Sequence, residues 1–586
     1  MATNKHKNAA YVAEISQFLG LDTTTPLGDD GAALKMKNFK VLPDGSLCTR
    51  DGYKILTDLG DTVRGVHAVH GAEGDFLLAV AGTMLYLISP ENGVVQSAEM
   101  LGTSEGEICF FEYDGSLYLT DGAEIYRYGG GVSLAEVQGY VPLYGDGWTV
   151  DAAAGEICEP INLLSCHVRI RYRCEEGFRR LYLGVKAASV DRICNGDYLF
   201  VSSEYKLSED GTVIDFGSAG CVPLDDTVTV CLTLDYSYWH DALLRSCKRA
   251  AKYDSFDRGR IFLYGGDDPS LLYISEPVGE ASLAVAQKDY PDSGSLYFPR
   301  GSSTFFQDRQ AITAVMRVRD GMMICTAGGA WMTEDLNEGD LSGEGIAIRP
   351  LSQTVGCGSL GGVLSIDGDV PVTLWSGGLV RWDLESDLAR GCRVERLSDG
   401  IAACVSEKYF CGARVCYLPV SDEIWVYRPG DEKGLVFVYN TRSSCWYCYT
   451  DIFADGMLDV GGRIGFWRGR EIFLFHSDLT CDYGSFGKRD IVGVFESRAM
   501  DLGDSERLKR AVRLAAEADL DGGEMWVVLK DGGLLNEVTF RADTEGVCCY
   551  DAPVGTARFR RVSLSVFAVG RGRKRLFRLC VHGRGA

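Results

Sequence analysis

The sequence predicts an all-β protein: a β-propeller with an inserted β-sandwich and a small C-terminal β-sandwich module. Three observations predict it. Glycine is abundant (71 of 586 residues), proline is scarce (15), and Tyr, Phe and Trp are plentiful at 28, 25 and 9. That composition suits short strands joined by tight turns. Most of the chain alternates apolar and polar residues with period two, broken by turn residues. The same grammar then recurs in units of roughly 40 to 50 residues, as blades of a propeller do. Stacked β-sandwiches are the alternative that these repeats leave open.

The elements follow in order. Asp75–Ile88 reads as two strands around a Gly-Thr turn. Tyr113–Tyr126 repeats the plan, and units of the same kind fall at Gly259–Ser275, Asp320–Thr333, Gly361–Trp382, Asp422–Tyr439 and Gly461–His476. Between Tyr126 and Arg260 the pattern stops. There Cys166–Arg173 and Thr227–Leu234 alternate as strands of an inserted sandwich over Val141–Asp235. Tyr238–Tyr253 is one of the few helix candidates, with Trp239, Ala242, Leu243 and Cys247 at helical spacing. Near the end, Arg510–Glu517 and Glu524–Leu529 read as paired strands, and Val562–Phe567 and Leu576–His582 as two more. The resulting organisation is an N-terminal arm with first strands (1–60), a first propeller part (61–140), the insert (141–240), the remaining blades (241–490) and a C-terminal β module (491–586).

Net charge is −23, unevenly spread. Gly555–Ala586 holds eight Arg, one Lys and no acid, or +9, leaving −32 on the rest. Such acidity opposes general nucleic-acid binding, because phosphates are repelled. It suits a wall that DNA slides past. No window is apolar enough for a transmembrane helix, and Met1–Ala10 is followed by no apolar run, so no secretory signal is expected. The 21 cysteines are then read as reduced thiols, mostly buried.

The motif search excludes most chemistry. Cys445-Trp-Tyr-Cys448 has redox spacing but sits in a strand-like aromatic stretch with no helix to activate it, and no second pair completes a zinc site. Vicinal Cys548-Cys549 takes the same structural reading. His67 and His70, three apart on a strand, point to opposite faces. Asp335–Glu344 gathers oxygen ligands without the EF-hand order. There is no nucleophile elbow, phosphate loop or dinucleotide fingerprint. No catalytic, cofactor or metal residue is therefore assigned, and the protein is expected not to be an enzyme.

Five segments together resemble a known family. Met36-Lys-Asn-Phe-Lys-Val-Leu-Pro-Asp-Gly-Ser-Leu-Cys-Thr-Arg-Asp-Gly-Tyr53 carries an Asn-Phe strand, Asp-Gly-Ser-Leu and Arg-x-Gly-Tyr. Glu159-Pro-Ile-Asn-Leu-Leu164 looks like the opening of a sandwich insert. Arg260–Gly266 runs on to Tyr273–Ser275 and Leu296–Pro299. Gln310–Ala314 is followed by Met322–Ile324 and Ala330-Trp331. Glu496-Ser-Arg498, Asp501–Gly503 and Lys509-Arg510 open the last module. In this order they are similar to tailed-phage packaged-DNA stabilisation proteins, the tail nozzle or hub family. The sequence departs from that pattern in its many cysteines and in Arg-Asp-Gly-Tyr where Arg-Pro-Gly-Tyr is usual.

The resemblance implies a structural virion protein of the tail, made in the host cytoplasm. It implies a homo-oligomeric ring, commonly sixfold, below the portal and adaptor, with double-stranded DNA passing through and no membrane span. A carbohydrate- or receptor-binding propeller is the alternative, and a propeller-type glycan-degrading enzyme a third. Asp44, Gly45, Arg50, Gly52 and Tyr53 are the expected assembly residues, with Asp44-Gly45 forming a hairpin turn. Arg571, Arg573, Lys574 and Arg575 are expected on an outward face against a neighbouring subunit. Acidic loops at Asp335, Glu338, Asp340 and Glu344, and at Asp431 and Glu432, are the expected channel lining.

Overall fold

A computed structural model describes residues 10–28, 31–71, 74–96, 100–148, 156–174, 178–217, 226–239, 242–254, 259–305, 309–319, 321–333, 348–384, 392–485, 487–542, 546–556 and 558–585. It is all-β, 54% strand and 6% helix, arranged in many sheets. The fold divides into two units: Met1–Gly82, Tyr86–Ser97 and Gly356–Ala586 form one, and Thr83–Leu85 and Ala98–Val355 the other.

The first unit holds four antiparallel quartets whose strands pair in sequence order. They run Val63–Gly71 to Val95–Gln96, Val363–Ile366 to Cys392–Arg396, and Arg414–Leu418 to Cys445–Tyr449. In the fourth, Gly456–Val460, Arg463–Arg468 and Glu471–His476 pair in order, and Gly52–Asp58 from near the N-terminus takes the fourth place. Cys481–Gly484 and Gly487–Asp490 extend that sheet. The first strands of successive quartets neighbour one another, from Val363–Ile366 through Arg414–Leu418 and Gly456–Val460 to Val63–Gly71. Strands such as Val436–Asn440 and Cys445–Tyr449 are buried almost throughout, which is why they read as apolar runs rather than clean alternation.

Two further sheets complete this unit. One orders Phe39–Val41, Leu47–Thr49, Arg575–Gly585, Lys509–Asp519 and Val547–Pro553, with Ala10–Ile15 also on Arg575–Gly585. The other orders Ala33–Lys37, Gly493–Ser497, Ser563–Val569, Glu524–Lys530 and Leu534–Arg541. Phe39, Phe495, Leu514, Val527, Leu564 and Leu579 fill one shared core. Residues 10–49, grouped by the sequence reading with an N-terminal arm, thus supply four strands to these two sheets. The expected pairing of Arg510–Glu517 with Glu524–Leu529 is corrected, because the two strands lie in different sheets. Each has an alternating inward face, and alternation alone does not say which partner completes it.

The second unit holds three quartets, Cys109–Tyr113 to Leu134–Glu136, Arg249–Tyr253 to Ser303–Phe305, and Ile312–Val318 to Ile348–Ser352. Their first strands again neighbour one another in that order. Asp114 and Gly115, at φ 48° and 66°, make a two-residue hairpin turn of the kind Asp-Gly favours. Between the first two quartets lie a six-stranded and a three-stranded sheet over residues 143–234, around Val168, Ile170, Leu181, Ile214, Val230 and Leu232. The helix expected over Tyr238–Tyr253 is corrected to two single turns, Tyr236–Trp239 and Ala242–Arg245, followed by strand Arg249–Tyr253. Five ladder positions against Arg260–Tyr264 outweigh the helical spacing. Glu280–Asp289 is the longest helix among the described residues, and it precedes Tyr290.

Tyr290 stacks on His167 with ring centroids 4.6 Å apart and donates to the Asp191 carboxylate at 2.7 Å. His167 Nδ1 lies 3.1 Å from the same carboxylate. That hydrogen bond, helped by Cys166 and opposed by burial, pushes the His167 imidazole up to about 9. A folded value above the ordinary one stabilises the charged form. The contribution is complete below about pH 6.5 and lost as pH rises through about 9. Chemical denaturation at pH 6 and pH 9.5 checks this: His167→Asn should cost about 1–3 kcal/mol at the lower pH and far less at the higher.

Candidate functional site

The assembly residues expected from sequence converge in the first unit. Asp44-Gly45 forms the turn between Phe39–Val41 and Leu47–Thr49, with Gly45 at φ 79°. Asp44 accepts hydrogen bonds from the Ser46 hydroxyl at 2.6 Å and its amide at 3.1 Å, and pairs with Arg575. The Ser46 bonds, with the Arg575 charge, hold its carboxyl below the usual range.

Arg50 is the centre. Its side chain is 2% exposed and reaches Asp482 with both terminal nitrogens, at 2.8 and 2.6 Å. It also donates from Nε to Asn38 Oδ1 at 3.1 Å, and to the carbonyls of Asp51 at 2.9 Å and Thr450 at 3.2 Å. These bonds match the five donors of a guanidinium. Burial pulls the Arg50 value down, and the Asp482 hydrogen bonds and charge outweigh it, so the group sits above its ordinary value. Asn38 is equally satisfied: its amide donates to Thr450 Oγ1 at 3.0 Å and the Val492 carbonyl at 3.1 Å, and its oxygen also accepts from the Thr450 amide at 2.9 Å.

Gly52 and Tyr53 fix the next step of the chain. A Cβ on Gly52 would stand 2.1 Å from the Cys481 carbonyl oxygen, so only glycine allows Gly52–Asp58 to enter the fourth quartet here. Tyr53 packs edge-on against Phe466 and Phe473, at 5.0 and 5.6 Å, and donates to the Asp451 carbonyl at 2.9 Å. Burial pushes its hydroxyl up to about 12, which keeps the donor protonated.

The basic run meets the same segment. Arg573 pairs with Asp51 at 2.6 Å, Arg575 with Asp44, and Arg578 with Glu14 at 2.8 Å. The Thr49 amide donates to the Lys574 carbonyl at 3.0 Å and the Lys574 amide to the Thr49 hydroxyl at 3.2 Å, while the Lys574 ammonium meets the carbonyls of Gly570 and, at 2.6 Å, Gly572. The expected outward placement is therefore corrected for Lys574, which is 2% exposed. Arg571 is exposed. A run of basic residues next to strand Arg575–Gly585 neutralises acids of the N-terminal strands it lies beside.

A pocket of about 190 Å³ adjoins Tyr53 and Asp482. Phe453, Phe466 and Phe473 line it, with Arg468, Lys488 and Arg489 among its charged groups. Arg489 is held by Asp451 at 2.7 Å, while Arg468 stacks on Phe453 at 4.5 Å and makes no ion pair among the described residues. The Arg468 guanidinium can bond a carboxylate or phosphate oxygen, with Glu471 and Asp482 on the same lining.

Of the acidic loops, Asp335, Glu338, Asp340 and Glu344 lie outside the described residues. Asp431 sits in the turn before Val436–Asn440, where its carboxylate accepts from the Leu435 amide at 2.8 Å, and Glu432 is exposed. Cys445 and Cys448 are buried in their strand, and burial pushes the Cys448 thiol up to about 12. Cys549 is exposed, which corrects the buried reading of the vicinal pair. Half of the described cysteines are buried, fewer than expected. No cluster of three His, Cys, Asp or Glu fit for a metal occurs among the described residues.

Sequence reasoning missed Asp482 and Thr450, and it named Asn38 only within a motif. Asn38 in Asn-Phe was a usable signal. Nothing local marks Asp482, which lies 432 residues from Arg50. Comparison with known proteins returns no matching family model and no matching curated sequence.

Two measurements test the site. Arg50→Ala leaves Asp482 buried without its partner and should destabilise the chain by about 3–5 kcal/mol, read from denaturant midpoints. Arg50→Lys should restore only part of this, lacking the two-pronged geometry. Burial pulls Lys574 down to about 8. Its folded value is below the unfolded one, so between about pH 8 and 10.5 the unfolded chain binds the extra proton and stability rises with pH. Lys574→Met should remove that rise, seen as the difference between variant and wild type at pH 7.5 and 9.5.

Proposed function

We propose that this chain is a non-enzymatic structural subunit of a tailed-phage tail, a nozzle or hub protein. In this reading its quartets are blades of a β-propeller, and its copies form a ring, commonly sixfold, below the portal and adaptor. The ring retains packaged DNA and conducts it at ejection.

One observation carries the reading: Asn38 of the Asn-Phe element and Arg50 of Arg-x-Gly-Tyr meet in one buried knot, while Asp44 of Asp-Gly, between them in sequence, pairs with Arg575. Asn38, Arg50 and Asp482 are bonded together there, and Gly52 admits the strand that completes the fourth quartet. Completion of a late quartet by an early strand is how a propeller closes its ring, since radial repetition otherwise leaves an open edge. The stepwise neighbouring of first strands within each unit supports the same architecture. Other matched segments also fall on buried knots. Asn162 donates to the carbonyls of Tyr140 and Leu296 at 2.9 Å each, and Arg260 pairs with Glu276 at 2.7 Å.

The acidity of the chain fits a conduit. Duplex DNA carries about one charge per 1.7 Å of axis, and a basic lumen would hold it by counterion release. Glu432 is proposed to face the DNA.

Electron microscopy of the purified protein and of particles tests the reading. Closed rings in the tail, with bladed subunits, are expected. Monomers absent from virions would overturn it. Purified rings should not retard duplex DNA at physiological salt, and Glu432→Lys should slow DNA release without preventing assembly.

A further inference from the structure

We propose that the second unit carries a binding cleft for a neutral saccharide. The inference does not depend on the tail reading. It starts from a cleft of about 510 Å³ among the turn at Asp114, strands Ser116–Thr120, Ile125–Tyr128 and Leu134–Glu136, and helix Glu280–Asp289. That volume lies within the roughly 300–1,000 Å³ of small-molecule sites.

The lining decides the ligand. Asp114, Glu136 and Asp292 bring three carboxylates, all exposed, and none makes an ion pair among the described residues. Arg127 is the cation of the cleft, and it donates to the Ser116 hydroxyl at 3.1 Å. The balance is negative, so phosphates and other anions are repelled. The carboxylates do not form a metal cage, since no group of three His, Cys, Asp or Glu among the described residues could hold an ion. They are instead spaced acceptors around a cavity.

The remaining groups are hydroxyls and amides. Tyr118 is buried at the wall, its ring stacked on Phe111 at 5.4 Å and its hydroxyl between those of Ser116 and Ser295. Gln287 is held toward the cleft by donating to the Ser293 carbonyl at 3.0 Å. Sugar hydroxyls both donate and accept. Carboxylates accept through two oxygens each, Arg127 supplies donors, and serine hydroxyls turn either way. An apolar ligand would strand these groups without partners.

The test uses the full-length wild-type chain on a printed array of neutral, amino-sugar and anionic oligosaccharides, with a lysine-rich peptide and calcium chloride as separate probes. The best neutral hit is then titrated calorimetrically. Neutral glycans are expected to bind, with anionic ones at background. Asp114→Asn and Asp292→Asn together should weaken binding at least tenfold. Asn tolerates the positive φ at residue 114, so the turn survives. Gln287→Ala, on the exposed side of the helix, is a second variant and should weaken binding about threefold. No neutral glycan bound at millimolar concentration overturns the proposal. So does binding unchanged in both variants, binding that requires calcium, or retention of the peptide alone.

Discussion

The buried Arg50–Asp482 pair is the constraint on which the first unit turns. A guanidinium taken out of water is expensive, and only a complete set of acceptors makes it tolerable. Asp482, Asn38, Asp51 and Thr450 provide that set from three distant stretches of chain. Because any missing acceptor leaves a buried charge to its desolvation cost, the pair holds Gly52–Asp58 beside Cys481–Gly484, where Tyr483 stands opposite Lys54. The strand, the two-sheet module and the extended fourth quartet are thereby tied to one arrangement.

The charge distribution follows the same logic at lower cost. Glu14, Asp44 and Asp51 sit on or beside N-terminal strands, and Arg578, Arg575 and Arg573 stand opposite them. A terminal module with a local basic excess is thus matched to acidic strands from the other end of the chain. These pairs are partly exposed and individually worth little. Lys574 differs, since it is buried among carbonyls with no carboxylate partner at hydrogen-bond distance among the described residues.

Local features were legible in the sequence. Asp114-Gly115 announces its turn, and the units near Gly259–Ser275 and Gly461–His476 fall on observed hairpins, because these depend on residues a few positions apart. Long-range choices were not. Lys509–Asp519 and Glu524–Lys530 alternate correctly and still enter different sheets. The spacing of Trp239, Ala242, Leu243 and Cys247 suggested a helix, but Arg249–Tyr253 found a strand partner. At the site, Gly45, Arg50, Gly52 and Tyr53 were marked by turn chemistry and motif. Asp482 was invisible because nothing in its own surroundings distinguishes it from dozens of other acids.

The early strand that completes a late quartet also sets a clock on synthesis. Arg50 precedes Asp482 by 432 residues. At about 5–20 residues per second, Gly52–Asp58 leaves the ribosome roughly 20–90 s before its partner exists. During that interval its edge is unpaired and open to other strands. Slower elongation lengthens the interval in which that edge can pair wrongly, whatever the stability of the finished fold.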